Sequence, residues 1–381
     1  MSKKIAIDLR WVRNRAIDGI GRYTLELTKE LVKISPQRYL LLFFDKETSD
    51  FVMEYLDQPE VEIRFVPFNI LSSKDIIFLP RFLRKLKVSF YFSPNYITSP
   101  FHPKEREGYK TILVVHDLIP YFFPFSRASF LWRLFYKFKI QSRIILGRAA
   151  RIIAVSENTA TDIVRLFGVA REKIKIVPEA AAKEYHPVAP PLAEERIAKY
   201  NLKPGYILYV GRQDPYKNLL GLISAYGLLP GGLRNEHSLV IVGPKNERYF
   251  PELLKRIKEV GVEKNVIFPG YIENEDLPSL YSAARIAVLV SFYEGFGLPV
   301  LEAMSCGTPV VCSNTSSLPE VAGEAALLVD PKNQEEIAAA FEKILVSKNL
   351  SEEFSQKGLE RAKKFSWERA AFEINKIFGE I

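Results

Sequence analysis

The stretch Tyr185-His-Pro-Val-Ala-Pro-Pro191 decides how this 381-residue chain is organised, because three prolines within seven residues interrupt a regular pattern. Before this break, short β-branched runs alternate with amphipathic helical patterns, and after it the same alternation begins again. A chain of this length exceeds the usual size of a single domain. We therefore predict two α/β domains in tandem, covering residues 1–185 and 190–365.

Each half is predicted to contain a parallel sheet with helices on both faces, since the strand-like runs are apolar nearly throughout. The predicted strands are Ile5–Leu9, Tyr39–Phe44, Glu62–Pro67, Ser89–Ser93, Thr111–His116, Arg151–Ser156, Lys173–Pro178, Tyr206–Val210, Ser238–Val242, Asn265–Phe268, Arg285–Ser291, Pro309–Ser313 and Ala325–Val329. The predicted helices include Tyr23–Lys33, Asn158–Phe167, Asn218–Leu229, Pro251–Val260, Leu277–Ala283, Leu298–Ser305 and Gln334–Leu345. Ligands of doubly wound sheets bind outside the carboxyl ends of the strands, so we expect two Rossmann-like domains facing across a cleft.

The composition argues against a secreted or membrane-spanning protein. Two cysteines, Cys306 and Cys312, provide no disulfide framework and favour a reducing, cytoplasmic compartment. Asp8 and Arg10 interrupt the first apolar run, so no secretory signal is predicted, and no stretch is apolar for long enough to span a bilayer.

The net charge of +8 is unevenly distributed: residues 1–183 hold 31 Lys and Arg against 19 Asp and Glu, whereas the remainder holds 22 against 26. A basic first half suggests an anionic partner, unless the whole proteome is basic. Because no RNA-binding or helix-turn-helix signature is present, we do not predict nucleic-acid binding.

The strongest candidate for chemistry is Glu294-Gly-Phe-Gly-Leu-Pro-Val-Leu-Glu302, which follows a predicted strand. Gly295 and Gly297 allow a ligand to approach the backbone, and a helix that begins at Leu298 would present free N–H groups to an anion such as a diphosphate. The carboxylate of Glu302, farther along that helix, could accept hydrogen bonds from both hydroxyls of a ribose. The pattern alone leaves open that both glutamates are ordinary surface charges.

A second candidate is Tyr209-Val-Gly-Arg-Gln-Asp-Pro-Tyr-Lys217-Asn218, after the first strand of the second half. Gly211 ends the strand, and Asn218 is a predicted N-cap of the next helix. Arg212 and Lys217 bracket the loop, and two cations at the entrance to a helix suit a diphosphate. Either cation alone would be expected on a solvated basic loop, so the argument depends on the pair.

Two shorter motifs lie in the first half. Asp18-Gly19-Ile20-Gly21-Arg22-Tyr23 lacks the third glycine of a dinucleotide fingerprint. A flexible loop that touches a phosphate or sugar fits better than a nicotinamide site, and a plain turn is the alternative. His116, at a predicted strand end, could donate a hydrogen bond to a sugar hydroxyl or serve a structural purpose. Asp117 is predicted to form a turn or a cap.

Motifs for metals and nucleophiles are missing from the sequence. No Asp-x-Asp pair occurs, and the four histidines (His102, His116, His186 and His237) lie far apart, so neither a metal site nor a bound cofactor is predicted. No Walker loop or Gly-x-Ser-x-Gly elbow occurs either. Cys306 has no partner in its sequence neighbourhood and is predicted to be a packed thiol.

Together these motifs resemble those of the retaining glycosyltransferases of family 4, which have the GT-B fold. Glu294 and Glu302 match the family's Glu-x7-Glu motif, and residues 211–218 match its Gly-Arg and Lys-Asn element. The runs at 19–23 and 116–120 resemble a bacterial mannosyltransferase branch whose members extend surface polysaccharides.

The end of the chain adds to this resemblance. Residues 366–381 resemble the family's terminal helix, which packs back on the first, acceptor-side domain.

The resemblance implies a donor-sugar role for Glu294, a ribose role for Glu302 and a diphosphate role for Arg212 and Lys217. His116 would lie by the transferred sugar. In chain order, the implied catalytic and donor-binding residues are Gly19, Gly21, His116, Gly211, Arg212, Lys217, Lys245, Tyr271, Glu294, Gly297, Leu298 and Glu302.

The activity implied by the resemblance is transfer of a hexose, mannose from GDP-mannose in particular, to a glycan or lipid-linked acceptor in surface polysaccharide synthesis. UDP-sugars are the alternative donors, and a nucleotide-sugar epimerase or an inactive sugar-nucleotide-binding protein are the rival functions. The family works without a metal, since cations can stabilise the leaving group. No carboxylate is clearly placed as a nucleophile, which favours front-side attack by the acceptor.

Two stretches of the first half, Phe130–Arg143 and Phe82–Lys87, mix aromatic residues with cations. Such a stretch can form a helix that lies in the interface of an anionic membrane, as in family members with lipid-linked acceptors. A core helix with outward-directed cationic side chains is the alternative. We accordingly expect a cytoplasmic protein, peripheral at the inner face of the cell membrane if the first alternative holds.

Overall fold

A computed structural model of the chain describes residues 3–12, 19–35, 38–58, 60–104, 107–123 and 139–381. The described residues form two compact units. The first unit contains the chain as far as Tyr121, Lys139–Glu179 and Ser366–Ile381; the second contains Phe122, Phe123 and Ala180–Phe365.

The first unit is built on a parallel sheet. Its strands within the described ranges are β1 (Ile5–Asp8), β2 (Tyr39–Phe43), β3 (Glu62–Phe65), β4 (Phe90–Ser93), β5 (Lys110–Val115), β6 (Arg151–Ala154) and β7 (Ile174–Ile176). They lie in the order β3-β2-β1-β4-β5-β6-β7, with Ile5 of β1 opposite Tyr39 on one side and Phe90 on the other. The helices that accompany them are α1 (Gly19–Ile34), α2 (Lys46–Leu56), α3 (Ser73–Lys85), α4 (Ile119–Phe122), α5 (Lys139–Arg148) and α6 (Glu157–Phe167).

The second unit repeats this plan. Its described strands are β8 (Ile207–Val210), β9 (Leu239–Val242), β10 (Val266–Ile267), β11 (Ile286–Leu289), β12 (Val310–Ser313) and β13 (Ala326–Val329), parallel and in the order β10-β9-β8-β11-β12-β13. Its helices are α7 (Pro190–Ala198), α8 (Leu219–Gly227), α9 (Gly231–Glu236), α10 (Phe250–Glu259), α11 (Leu277–Ser282), α12 (Leu298–Ser305), α13 (Leu318–Ala322), α14 (Gln334–Val346) and α15 (Lys348–Ala362). The predicted pair of doubly wound parallel sheets is confirmed.

The chain ends in α16 (Trp367–Glu380), which belongs to the first unit and packs against α1. The ring of Phe378 on this helix lies 5.5 Å from that of Phe90 on β4, and Asn375 accepts a hydrogen bond of 2.9 Å from Arg38. The last helix therefore completes the core of the unit in which the chain begins.

In both sheets the strand order reverses near the middle, between β1 and β4 in the first unit and between β8 and β11 in the second. Loops that leave two such neighbouring strands diverge to opposite faces and open a crevice between them. The carboxyl ends of β8 and β11 are therefore the natural place for a ligand in the second unit.

A buried ion pair fixes the carboxyl end of β1 in the first unit. The guanidinium of Arg10 donates to both carboxylate oxygens of Asp8, at 2.8 and 2.7 Å, and to Asp75 at the start of α3, at 2.6 Å. Burial alone would raise the pKa of Asp8, but the charge and hydrogen bonds of Arg10 and the hydroxyl of Tyr91 outweigh burial and lower it. The charge of Asp8 is thus stable inside the unit because Arg10 is its partner.

Candidate active site

The carboxyl edge of the second sheet brings the two strongest sequence motifs together. The ammonium group of Lys217, in the loop after β8, lies 2.7 and 2.9 Å from the two carboxylate oxygens of Glu294, in the loop after β11. The hydroxyl of Ser291 donates to the nearer of these oxygens at 2.6 Å. Residues 77 positions apart therefore form one charge pair at the switch point of the sheet, in which Glu294 is buried and Lys217 is partly buried.

Serine residues after β12 hold the loop that carries Glu294. The backbone N–H of Glu294 donates to the hydroxyl of Ser316 at 2.9 Å. The hydroxyl of Ser317, which is fully buried, lies 3.0 Å from the carbonyl of Glu294 and 2.7 Å from that of Phe296. Neither serine was predicted as a site residue, although small hydroxyl residues directly after the predicted strand Pro309–Ser313 could have pointed to them.

Glu302 lies on α12 and is buried, so it is not the ordinary exposed helix residue that the pattern had left open. The hydroxyl of Tyr281, on α11, donates to one carboxylate oxygen of Glu302 at 2.9 Å. Burial raises the pKa of Tyr281 well above its usual range, and the charge of Glu302 raises it further, so the phenol remains a donor. Tyr281 therefore orients the carboxylate.

Only glycine fits at position 297, at the start of α12, because the backbone conformation and the space beside it both exclude a side chain. Its φ is +117°, and a Cβ built there would lie 2.6 Å from a methyl carbon of Leu318. The first N–H groups of a helix have no partner within it. Pro299 has no N–H, and that of Val300 bonds to the carbonyl of Gly297. The backbone N–H groups of Gly297 and Leu298 are thus the candidates for binding an anion, as predicted from the sequence.

Arg212 and Lys217 have different carboxylate partners. Arg212 is half-exposed, and its Nε lies 3.3 Å from a carboxylate oxygen of the buried Asp214, whereas Lys217 pairs with Glu294. Their joint role as a diphosphate clamp stays a prediction.

Asn218 occupies the predicted N-cap position of α8, where its carbonyl accepts a bond of 3.0 Å from the N–H of Leu222, but its side chain does not cap the helix. Its backbone is left-handed, with φ of +58°, and its side chain makes no capping hydrogen bond to α8. The side-chain amide instead donates to the carbonyls of Val290 and Pro331, at 3.1 and 2.6 Å. Asn218 therefore ties the loop after β8 to the ends of β11 and β13.

The other predicted donor-binding residues of the second unit lie at the ends of β8 and β9 and beyond them. A Cβ on Gly243, whose φ is +131°, would lie 2.0 Å from the carbonyl oxygen of Gly211, so the two backbones approach closely there. Lys245 is exposed, with its ammonium 4.5 Å from the ring centre of Phe250, and Tyr271 is 74% exposed. The roles of Gly211, Lys245 and Tyr271 toward a nucleotide stay predictions.

His116 follows β5 in the first unit, and both of its ring nitrogens have partners. Nδ1 lies 2.7 Å from a carboxylate oxygen of Glu179, and Nε2 lies 2.8 Å from the carbonyl oxygen of Pro94. The ring of Tyr23 packs nearly perpendicular to the imidazole, at 4.6 Å. Contact between the His116 nitrogens and a sugar hydroxyl would require exchange of one of these bonds. Glu179 was not singled out from the sequence.

The chain matches two family models, one in each half. Residues 17–181 match the model described as Glycosyltransferase Family 4, and residues 193–361 match Glycosyl transferases group 1. The O-antigen chain mannosyltransferase B of Escherichia coli is 35% identical over 370 residues, which cover 92% of this chain and 93% of that protein. The chain is a family 4 glycosyltransferase.

Two further comparisons concern a second relative and a solved structure. The serotype-specific mannosyltransferase WbdA of Escherichia coli is 31% identical to the glycosyltransferase over 278 residues, which are 71% of this chain and 33% of that longer protein. The crystal structure of Anabaena HepE in complex with UDP and glucose has a TM-score of 0.76 and 18% identity, over 100% of both chains. The second likeness concerns the fold alone.

The glycine motif of the glycosyltransferase differs from its prediction. Gly19 and Gly21 were expected in a flexible loop, but both lie in the first turn of α1. Asp18 lies outside the described residues. The predicted turn at Asp117 is confirmed, because its carboxylate accepts a bond of 3.0 Å from the N–H of Ile119 at the start of α4.

The predicted packed thiol is also confirmed. Cys306 and Cys312 are buried and unpaired, and burial raises the pKa of each thiol to about 12. Among the residues that the structure describes, no three or more His, Cys, Asp or Glu side chains are grouped so as to hold a metal ion.

Removal of the Glu302 carboxylate is expected to weaken binding of the nucleotide-sugar donor. A hydrogen bond to a charged group contributes about 1.5–3 kcal/mol, so loss of the predicted ribose contacts should lower affinity at least about tenfold in Glu302→Ala. Isothermal titration calorimetry with a nucleoside diphosphate measures this. The matched control is Glu342→Ala, on the exposed surface of α14. Unchanged affinity in Glu302→Ala would refute the ribose role.

Proposed function

We propose that this glycosyltransferase transfers mannose from GDP-mannose to a glycan or lipid-linked acceptor during synthesis of a cell-surface polysaccharide. The observation that carries the donor site is the Lys217–Glu294 pair at the ends of β8 and β11, with the buried Glu302 on the helix that follows. The choice of mannose is supported by the similarity to the O-antigen chain mannosyltransferase over nearly the whole chain.

In the proposed complex, Glu302 accepts hydrogen bonds from the ribose and Glu294 contacts the hydroxyls of the sugar. Lys217, Arg212 and the first N–H groups of α12 stabilise the diphosphate as it leaves. Cations and helix N-termini fixed in place can stabilise a developing charge without a metal ion. We accordingly propose that the reaction needs neither a metal nor a bound cofactor.

The proposed reaction retains the configuration at the anomeric carbon. The bond from this carbon to the diphosphate oxygen breaks, and the acceptor oxygen forms its bond on the same face. The acceptor's proton passes to the leaving phosphate oxygen. This route is supported by the environment of Glu294, because Ser291 and Lys217 already engage its carboxylate oxygens and reduce its power as a nucleophile.

The wild-type protein is expected to release GDP from GDP-mannose only when an acceptor is present, for example a mannoside with an alkyl chain. Coupled detection of GDP and mass spectrometry of the acceptor measure this transfer. Lys217→Met should lower kcat at least about a hundredfold, because the diphosphate loses a fixed charge in the transition state.

Parallel assays separate this proposal from its rivals. If UDP-sugars were turned over faster than GDP-mannose, the donor would be a UDP-sugar. Release of an isomerised sugar without acceptor would indicate an epimerase. Binding without turnover of any nucleotide-sugar would indicate a sugar-nucleotide-binding protein. The matched control for Lys217→Met is Lys255→Met, an exposed lysine on α10.

We further propose that the first unit docks on an anionic lipid bilayer through α3. Two large apolar side chains on this helix, Ile77 and Phe78, are 53% and 43% exposed. Lys74, Arg81 and Lys85 are exposed at helical spacing around them. Aromatic or aliphatic side chains flanked by cations are typical of helices that lie in a membrane interface.

This surface differs from the stretches that the sequence had indicated. Within Phe82–Lys87, Leu83 is buried and Phe82 and Leu86 pack against the core, so the exposed apolar side chains lie one turn earlier. Of Phe130–Arg143, only residues from Lys139 onward are described. No helix of the described residues is long and apolar enough to cross a membrane.

The protein is expected to sediment with vesicles that contain anionic phosphatidylglycerol, and less with neutral vesicles, at moderate salt. The combined variant Ile77→Ser, Phe78→Ser and Arg81→Gln should reduce binding at least about tenfold, since each basic residue contributes about 1 kcal/mol near an anionic surface. The matched control is Leu254→Ser with Lys255→Gln on α10, where an exposed leucine also stands beside a lysine. Equal binding by both variants would contradict docking through α3.

A further inference from the structure

The contacts of His116 determine where its protons lie. The carbonyl oxygen of Pro94, 2.8 Å from Nε2, can only accept a hydrogen bond, so Nε2 carries a proton. Nδ1 faces the carboxyl group of Glu179 at 2.7 Å. An ordinary glutamate, with a pKa near 4.3, is more acidic than an ordinary imidazolium, with a pKa near 6.5, so the proton between them belongs to His116. With both nitrogens protonated, the ring is an imidazolium paired with a carboxylate.

The surroundings of the ring agree with this charge state. Burial lowers the pKa of His116, but the hydrogen bond and charge of Glu179 outweigh burial, and the Pro94 carbonyl and the carboxylate of Asp117 act in the same direction; the net shift is upward. The titratable groups that face the ring are Glu179 from the segment after β7, Asp117 from its own segment and Tyr23 from α1.

Tyr23 encloses the ring on the α1 side. Its hydroxyl is buried without a hydrogen-bond partner in the described part of the chain, and burial and the nearby Glu179 charge raise its pKa well above the usual range. The ring of Trp367, at the start of α16, packs 5.5 Å from that of Tyr23. Tyr23 therefore stays neutral, and the carboxylate that is hydrogen-bonded to the imidazole is that of Glu179.

We propose that Glu179 is a positioning residue for the transfer reaction, whose carboxylate fixes the ring of His116 and keeps that ring in the protonated form. This inference rests on the proposed function and on the place beside the transferred sugar that the family resemblance implies for His116. A histidine held in the protonated form cannot act as a general base. It supplies instead a fixed positive charge, which favours departure of the negatively charged diphosphate.

The direct test is the titration of the histidine side chains by ¹⁵N NMR in the wild-type protein. With four histidines, single substitutions assign the signals. His116 is expected to stay protonated above its ordinary pKa of about 6.5, whereas the buried His102, whose pKa burial lowers to about 3, stays neutral. A neutral His116 in the wild-type protein at pH 6.5 would overturn the inference without any variant.

The variant Glu179→Gln keeps a carbonyl oxygen that can accept from Nδ1 but removes the charge. Its His116 should titrate at lower pH, and kcat at pH 8 should fall at least about tenfold and recover as the pH is lowered, with little change in KM for the donor. Glu179→Asp should restore part of the activity at pH 8. The matched control is Glu236→Gln, which removes an exposed carboxylate 4.0 Å from His237.

The outcomes separate this inference from the proposed function. Loss of activity by the same factor at every pH in Glu179→Gln would mean a purely structural role and would overturn the inference. A neutral His116 in an active wild-type enzyme would do the same. If His116 were protonated in a protein that transfers no mannose, the inferred effect of Glu179 on His116 would be supported and the proposed donor would be contradicted.

Discussion

The ion pair between Lys217 and Glu294 is the constraint on which the candidate site depends. It joins loops that leave neighbouring strands, β8 and β11, in opposite directions at the switch point of the second sheet. Two further bonds reinforce it, from the N–H of Phe292 to the carbonyl of Tyr216 at 2.8 Å and from the Asn218 amide to the carbonyl of Val290. The carboxylate is therefore held in place before a ligand arrives, which is the condition for electrostatic stabilisation of a transition state.

In both units, charged side chains are held in position by a hydrogen-bonded partner of opposite charge. Arg10 is buried between Asp8 and Asp75, His116 is bound to Glu179, and Lys217 to Glu294. A buried charge without a partner would cost several kcal/mol, so each pair fixes the position of both its members. All three pairs lie at the carboxyl ends of strands or in the segments that follow them. The proposed chemistry needs fixed charges at such positions.

Much of the fold could be predicted because strands buried on both faces are apolar throughout, as in Ile286–Leu289, and such runs are easily recognised. Glu294 and Lys217 could be found because the glycines and cations beside them are typical of loops that bind an anion. Their mutual bond could not be predicted, since the order β8-β11 results from long-range strand pairing.

Other features were missed for local reasons. Glu179, Ser317 and Tyr281 act through a single hydrogen-bonding group, and no spacing rule distinguishes them from ordinary polar residues. The N-cap position of Asn218 was predicted correctly, but its side-chain bonds were not, because its amide donates to the distant carbonyls of Val290 and Pro331 instead of capping α8. Gly19 and Gly21 were misassigned because a glycine pair favours loops, whereas α1 includes both of them.

The most direct measurement is a crystal structure of the protein with GDP-mannose bound. The account predicts that the ribose hydroxyls lie within hydrogen-bond distance of the Glu302 carboxylate, the diphosphate within reach of Lys217 and the N–H of Leu298, and the mannose against Glu294. A nucleotide seated away from the carboxyl ends of β8 and β11, with the Lys217–Glu294 pair untouched, would contradict it.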